Sequence, residues 1–465
     1  MNKNLKILIS ITQLIGILLL THLKIYAQDI KEMEQRPNII FIITDDQRWD
    51  ALNYAGNDLI HTPNMDKLAE EGVYFENAFV STPICAASRA SLMTGLYERK
   101  HGYTFTKPPL SRDLIDKSYF ALLKKAGYYN GYLGKFGVTF ENKLDTTLFD
   151  VYRPYTTDFY FRLTDGGTKH THLTEIMSEK AIDFIRNAPS KKPFCLTVSY
   201  NAPHAEDRSP EQYIYPQNVD TLYSNNVIPK PVLGSEIYFN QQPEFVKKGF
   251  NRIRWNWRFD SEEKYQNMVK GYYRMISGID RSIGEIRAVL EEKGLANNTV
   301  IILIGDNGYF LGERQLAGKW LLYDVSLRVP LIIYDPRSAL HKDINTNVLN
   351  IDVMPTILEY AGVDIPKSVH GISLSGFTTE KKNPVINRDA FLCEHLWDRQ
   401  EIPSSEGVRT RDYKYFRYRD FPDHEELYDL KNDPSEKVNL VDNLEFRNKL
   451  EELRKKCDEL IESAE

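Results

Sequence analysis

Pro37-Asn38-Ile39-Ile40-Phe41-Ile42-Ile43-Thr44, followed at once by Asp45-Asp46, is the stretch whose reading decides the fold. The run is continuously apolar and β-branched rather than alternating. A strand reads that way when both its faces are buried, as in a parallel sheet flanked by helices. It stops at two adjacent acids, which repel each other and lose hydration at the end of a buried strand unless a cation lies between them. Taken alone, an Asp-Asp pair also fits a surface turn. A second run of the same character, Thr299-Val300-Ile301-Ile302-Leu303-Ile304, ends in Gly305-Asp306-Asn307-Gly308. Ligands of open α/β sheets bind at the carboxyl ends of the strands. Hard oxygen donors without a His or Cys cluster beside them suit Ca²⁺ rather than zinc.

Around these two runs, helix and strand patterns alternate as a doubly wound sheet requires. Thr62-Pro63-Asn64 opens a helix through Met65, Leu68 and Ala69 that Gly72 closes. Residues 119–127 read as a helix and 130–133 as a short strand. Residues 175–187 are amphipathic and lead into a strand over 193–200. A long apolar periodicity over 264–293 ends at Gly294, a helix-terminating residue. Past Asn383-Pro384, whose turn chemistry marks a boundary, short runs at 390–394, 407–410 and 413–418 read as antiparallel strands. A polar helix over 444–463 follows them. The expected architecture is a large mixed, mostly parallel α/β sheet flanked by helices, over residues 28–383. A smaller C-terminal α+β domain built on an antiparallel sheet occupies 384–465.

The chain has 465 residues, 42% hydrophobic and 27% charged, enough to bury a large core. A net charge of −6 and the lack of a Lys/Arg cluster argue against a nucleic-acid partner. Residues 1–27 read as a secretory signal: Lys3 and Lys6 precede an apolar stretch over 7–20, and Ala27 offers a cleavage point. Export, most simply to a periplasm, with no stable membrane anchor, is expected. The cysteines are Cys85, Cys195, Cys393 and Cys457. Cys195 lies in an apolar run and reads as a core thiol.

The chemistry is expected from Cys85-Ala86-Ala87-Ser88-Arg89-Ala90-Ser91-Leu92-Met93-Thr94-Gly95. Ala87, Ala90, Leu92, Met93 and Leu96 fall at helical spacing after the Thr82-Pro83 turn. Cys85 then sits at or just before a helix N-terminus, where free N–H groups and the macrodipole favour an anion. Arg89, one turn on, can offer its planar fork to a negative oxygen beside it. By themselves these residues support a reactive thiolate.

The stretch resembles the activation signature of the type I sulfatases, C-x-[PA]-S-R-x-x-x-[LM]-T-G. The D-D and G-D-N-G strand ends resemble the metal ligands of the same family, and the likeness runs over about residues 37–440. It implies the alkaline-phosphatase-like fold. It also implies that a maturation enzyme oxidises Cys85 to formylglycine (3-oxoalanine), whose hydrate attacks the sulfur of a sulfate ester. One Ca²⁺ would be held by Asp45, Asp46, Asp306, Asn307 and the residue at Cys85. Arg89, Lys135 and Lys319 would address the sulfate charge, His204 would protonate the departing oxygen, and Asp306 would take the proton of the attacking hydroxyl. One position departs from the pattern. Many members carry a histidine two residues after the first lysine, and here Gly134-Lys135-Phe136-Gly137 has glycine. The base for sulfate release is then unassigned; His101 reads equally as a helix-ending cap.

Residues 205–262 are polar and aromatic with little periodicity. They include Arg252-Ile253-Arg254-Trp255-Asn256-Trp257-Arg258. Trp faces stack on sugar rings and Arg forks grip carboxylates or sulfates. Arg252, Arg254 and Trp257 are therefore expected to line a glycan cleft, with His395 facing it from a strand end; a packed surface loop fits the stretch as well. The partner expected is a sulfated polysaccharide or its oligosaccharides, algal glycans such as ulvan among them. Two rivals stand beside a sulfatase: a phosphodiesterase or phosphonate hydrolase of the same superfamily, and a catalytically silent glycan-binding relative.

Overall fold

The computed structural model describes residues 36–105, 107–142, 144–155, 160–163, 170–379, 386 and 388–465. The leader over 1–27 and the Asn383-Pro384 boundary lie outside the described residues. The main sheet takes, in chain order, β1 (Asn38–Thr44), β2 (Val73–Phe75), β3 (Tyr129–Gly134), β4 (Val151–Pro154), β5 (Phe194–Ser199), β6 (Thr299–Gly305), β7 (Leu331–Tyr334) and β8 (Lys342–Ile344). Its order is β8-β2-β7-β6-β1-β5-β3-β4. β1 runs parallel to β6 and β5, with Thr44 opposite Gly305 and Ile43 opposite Ser199. β5 pairs β3 in parallel with Ser199 opposite Gly134. β7 is antiparallel to both its neighbours. This register decides where the chemistry falls: the residues after β1, β6, β5 and β3 emerge together at one edge.

Helices used below are α1 (Pro63–Glu70), α2 (Cys85–Thr94), α3 (Tyr119–Lys125), α4 (Leu173–Asn187), α5 (Phe250–Arg258), α6 (Glu262–Glu292) and α7 (Val353–Tyr360). β1 explains why they lie on both sides of the sheet. Ile39, Phe41 and Ile43 enter one core with residues of α2, α3 and α7. Ile40 and Ile42 enter a second core with residues of α1, α4 and α6. Each such side chain contributes about 1.5–3 kcal/mol by leaving water, so the strand is held from both faces. α6 ends with Gly294 in the left-handed region (φ 67°). The Leu295 N–H donates to the Leu290 carbonyl at 2.8 Å, the long bond of a Schellman turn.

The C-terminal domain is a four-stranded antiparallel sheet in sequential order: β9 (Ala390–His395), β10 (Ser405–Thr410), β11 (Tyr413–Tyr418) and β12 (Phe421–Asp429). Helix α8 (Arg447–Ala464) covers one face, Leu450, Leu453 and Cys457 packing on Val408, Tyr415 and Leu427. From the other face Phe391, Cys393 and Phe416 join the core of the main sheet. All four cysteines are free and buried. Residues 205–262, expected without regular structure, contain helices Glu236–Asn240, Glu244–Lys247 and α5. Among the described residues, no helix is long and apolar enough to cross a membrane.

Candidate active site

Asp45 and Asp46 leave β1, and Asp306 and Asn307 leave β6, at that shared edge. The Asp306 N–H donates to the Thr44 carbonyl at 2.9 Å, and the Asp46 N–H donates to Asp306 Oδ1 at 3.1 Å. Asn307 Nδ2 donates to Asp46 Oδ1 at 2.6 Å. Asp46 takes the left-handed region (φ 69°), which Asp tolerates better than most residues and which turns its side chain back over the edge. All four are buried.

Cys85 is the first residue of α2, buried, after Ile84 in extended backbone with no side chain capping the helix. Its place at the N-terminus agrees with the spacing of the sequence. Arg89, fully buried, donates from Nε to Asp306 Oδ2 at 2.9 Å and from Nη1 to the Lys135 carbonyl at 2.8 Å. It also donates to Ser199 Oγ, and Nη2 lies 3.7 Å from Asp45 Oδ2. The Lys135 ammonium pairs with Asp45 Oδ2 and that of Lys319 with Asp46 Oδ1. His204 Nε2 lies 3.8 Å from Asp46 Oδ2, and its Nδ1 meets the Ala205 carbonyl at 2.7 Å.

The electrostatics follow from burial against these pairings. Burial alone would push Asp45 up, but Lys135, His204, Lys319 and Arg89 hold it well below the usual carboxylate range. Asp306 is pushed up to about 6, by burial first and then by the charge of Asp45. Burial lowers His204 to about 4 against the pull of Asp46 and Asp45. Lys135 and Lys319 are raised by the acids despite burial.

Several hard oxygens here lack a donor. Asp45 Oδ1, Asp46 Oδ2 and Asn307 Oδ1 are buried without a hydrogen-bond partner. Such atoms cost free energy unless something positive completes them, and this donor set fits a divalent cation of the calcium type. Asp45, Asp46 and His204 also place ligand atoms within 4.8 Å of one another. That group includes the histidine and omits Asp306, whose oxygens serve the Asp46 N–H and Arg89. The unpartnered oxygens of Asp45, Asp46 and Asn307 suit a hard cation better than the His204 imidazole does.

The residues expected to bind substrate are placed differently. Arg254 is buried and grips Asp207 together with Arg258. Arg252 donates to the Gln315 carbonyl at 3.1 Å and stacks on Phe239 and Trp255, each centroid 4.0 Å away. Trp257 is 39% exposed, edge-on to Phe250. His395 is a correction: its side chain is 0% exposed and faces no cleft. Burial holds it neutral, its pKa near 3. His101 is a cap, its Nδ1 accepting from the Tyr103 N–H at 3.1 Å and its Nε2 3.1 Å from Ser91 Oγ. Sequence reasoning missed Ser199, Asp207 and Asn251. The spacing 251, 254, 258 marks one face of a helix and is the signal that could have found the last.

Comparison with known proteins bears on all of this. Residues 37–363 match the family model described as Sulfatase, and 312–463 match one described as N-sulphoglucosamine sulphohydrolase, C-terminal. An N-acetylglucosamine-6-O-sulfatase of Bacteroides thetaiotaomicron is 28% identical, over 93% of this chain and 88% of that protein. An ulvan-active sulfatase of Formosa agariphila is 27% identical, over 93% and 83%. A solved structure described as a complex with its substrate D-glucosamine-2-N,6-O-disulfate superposes with a TM-score of 0.78 at 27% identity, covering 92% of this chain and 98% of that one. The first match alone takes in more than two thirds of the chain and every residue from Asp45 to Lys319 placed at the sheet edge. The chain belongs to the sulfatase family, hydrolases of sulfate esters with the alkaline-phosphatase-like fold.

Proposed function

We propose that this protein releases sulfate from a sulfated polysaccharide or its oligosaccharides, using a formylglycine made from Cys85 and one Ca²⁺, in the periplasm after removal of residues 1–27. The observation that carries the reading is Cys85 at the start of α2, in a site where Arg89, Lys135, Lys319 and His204 surround Asp45, Asp46 and Asp306. When present, the aldehyde hydrate supplies the nucleophilic hydroxyl and the cation supplies Lewis-acid charge. The chain's own groups do the rest. Asp45, Asp46, Asp306 and Asn307, with the residue at Cys85, would hold the cation, and Asp45, Asp46 and Asn307 each offer it an oxygen without a hydrogen-bond partner. Asp306, fixed by the Asp46 N–H and Arg89 Nε, is assigned the proton of the attacking hydroxyl. Lys135, Lys319 and Arg89 place positive charge where the sulfate oxygens gain negative charge in the transition state. His204 is assigned the departing oxygen as acid: Nδ1 donates to the Ala205 carbonyl, and Nε2, 3.8 Å from Asp46 Oδ2, carries the transferred proton in the imidazolium form.

A sugar substrate is supported by the relatives, named for N-acetylglucosamine 6-sulfate and for ulvan. The test has two parts. Mass spectrometry of protein co-expressed with a formylglycine-generating enzyme should find CH₂–SH replaced by CHO at Cys85. Sulfate release should then be followed from 4-nitrophenyl sulfate, N-acetylglucosamine 6-sulfate, glycosaminoglycan disaccharides and ulvan and carrageenan oligosaccharides, with bis-4-nitrophenyl phosphate alongside. Converted Cys85 with release from a sugar sulfate is expected. No release from any sulfate ester by converted protein would refute the reading, and faster cleavage of the phosphodiester would favour the phosphodiesterase rival.

A further inference from the structure

Lys319 lies in an unfavourable turn. Gly318 before it has φ 107°, and Trp320 after it has φ 83°, a region a bulky side chain rarely takes. A conformation of that kind persists only where its surroundings hold it. What holds this one is α5. Asn251, buried, donates from Nδ2 to the Ala317 carbonyl at 3.2 Å and to the Lys319 carbonyl at 2.9 Å, spanning the turn. One helical turn on, the Arg254 guanidinium stacks 4.9 Å from the Trp320 ring. The Trp320 backbone N–H donates to the Pro83 carbonyl at 3.1 Å, two residues before Cys85.

The same face of α5 reaches the His204 segment. Arg254 and Arg258 each take one oxygen of Asp207, three residues past His204. Arg258 is itself fixed by Tyr309 Oη at 2.8 Å. Residues 251, 254 and 258 thus connect the lysine turn, the histidine turn and, through Trp320, the cysteine turn.

We infer that α5 is a splint for the catalytic turns, with Asn251 and Arg254 as positioning residues that fix Lys319 and, through Asp207, His204. The inference rests on the sulfatase reading only in taking Lys319 as the cation that addresses sulfate. A displacement of about 1 Å at a catalytic group can cost about 100-fold in rate, so the expected losses are large for residues that touch no substrate.

The experiment is a double-mutant cycle with a labelling readout. Asn251→Ala should lower kcat on 4-nitrophenyl sulfate about 10- to 100-fold. In a Lys319→Ala background the same change should cost less than about 3-fold, because the residue it positions is gone. Mass-spectrometric measurement of Lys319 acetylation by an N-hydroxysuccinimide ester should show labelling several-fold faster than in the parent enzyme. Asn251→Asp, of equal size but without the donors, should reproduce both effects, and Arg254→Lys should restore neither the stacking nor the full rate. Equal losses in both backgrounds, unchanged labelling, or the loss of a folded transition in all three variants would mark a merely structural role and overturn the proposal. If the parent enzyme turns over no sulfate ester, the functional reading fails, while the labelling rates still decide whether α5 positions Lys319.

Discussion

Arg89 is 0% exposed; its Nε and Nη1 donate to Asp306, Ser199 and the Lys135 carbonyl, and Nη2, without a hydrogen-bond partner, lies 3.7 Å from Asp45 Oδ2. Removing it leaves buried acids without their partner. Arg89→Ala should therefore lower stability by about 3–5 kcal/mol in denaturant unfolding, besides abolishing sulfate release. Arg89→Lys should recover part of the stability and little of the activity, since a point charge cannot serve that many acceptors at once. Gly137 makes a complementary case. Its φ is 72°, and an added Cβ would lie 2.7 Å from Arg89 Cδ. A side chain at 137 would have to displace Arg89, including the histidine that the resemblance implies for this position. Reinstating it as Gly137→His should lower kcat by at least about 10-fold through displaced Arg89, and Gly137→Ala should do the same more mildly; improved turnover in steady-state assays would contradict this.

At the scale of elements, α6 fastens α1 through one carboxyl. Asp280 accepts from the N–H groups of Asn64 and Met65 at 2.9 and 2.8 Å and from Asn64 Nδ2 at 2.9 Å, capping α1 from outside. Burial pushes it up to about 7 despite those donors. The sign follows: between its ordinary value of 3.8 and about 7 the unfolded chain has released this proton while the native state keeps it. Its contribution to stability therefore falls as pH rises through that window and is level above it. Asp280→Asn cannot titrate, so its Tm relative to the parent protein should rise between pH 5 and pH 8, by the equivalent of roughly 2–3 kcal/mol. A flat difference across that range would refute the assignment.

For the whole molecule, the C-terminal domain is joined to the main sheet by charge as well as by packing. Lys414, buried, pairs with Asp324 Oδ1 and with Glu436 Oε1 at 2.7 Å, and Arg409 Nη2 meets Asp324 Oδ2 at 3.0 Å. Asp324 lies five residues past Lys319 in the chain. Lys414→Met should cost about 3–5 kcal/mol, because it leaves two buried acids facing each other. Scanning calorimetry should show one lowered transition rather than two, since Phe391 and Phe416 belong to the main core.

How much could be read in advance varies along the chain. β1 and β6 were legible because burial on both faces writes an uninterrupted apolar run, and the acids after them because a charge that ends such a run needs a partner. Three of the four C-terminal antiparallel strands were legible as short runs, while Phe421–Asp429 was not read as a strand. The role of α5 was not, because Arg254 is interpreted by Asp207 and Asn251 by the Lys319 turn, partners that no local pattern names. His395 misled for the same reason: a strand-end histidine looks available until the opposing layer covers it.

By itself, then, the chain determined its central strands, the helix that begins at Cys85 and the kinds of atom offered to a cation, all properties of short segments whose burial leaves a periodic trace. Only the tertiary structure decided that those segments end at one edge, in register, and that the arginine-rich stretch is a helix whose one buried face meets the turns of Lys319 and His204. Long-range contacts depend on which distant residue arrives opposite, and that is fixed by sheet order and packing, not by local spacing.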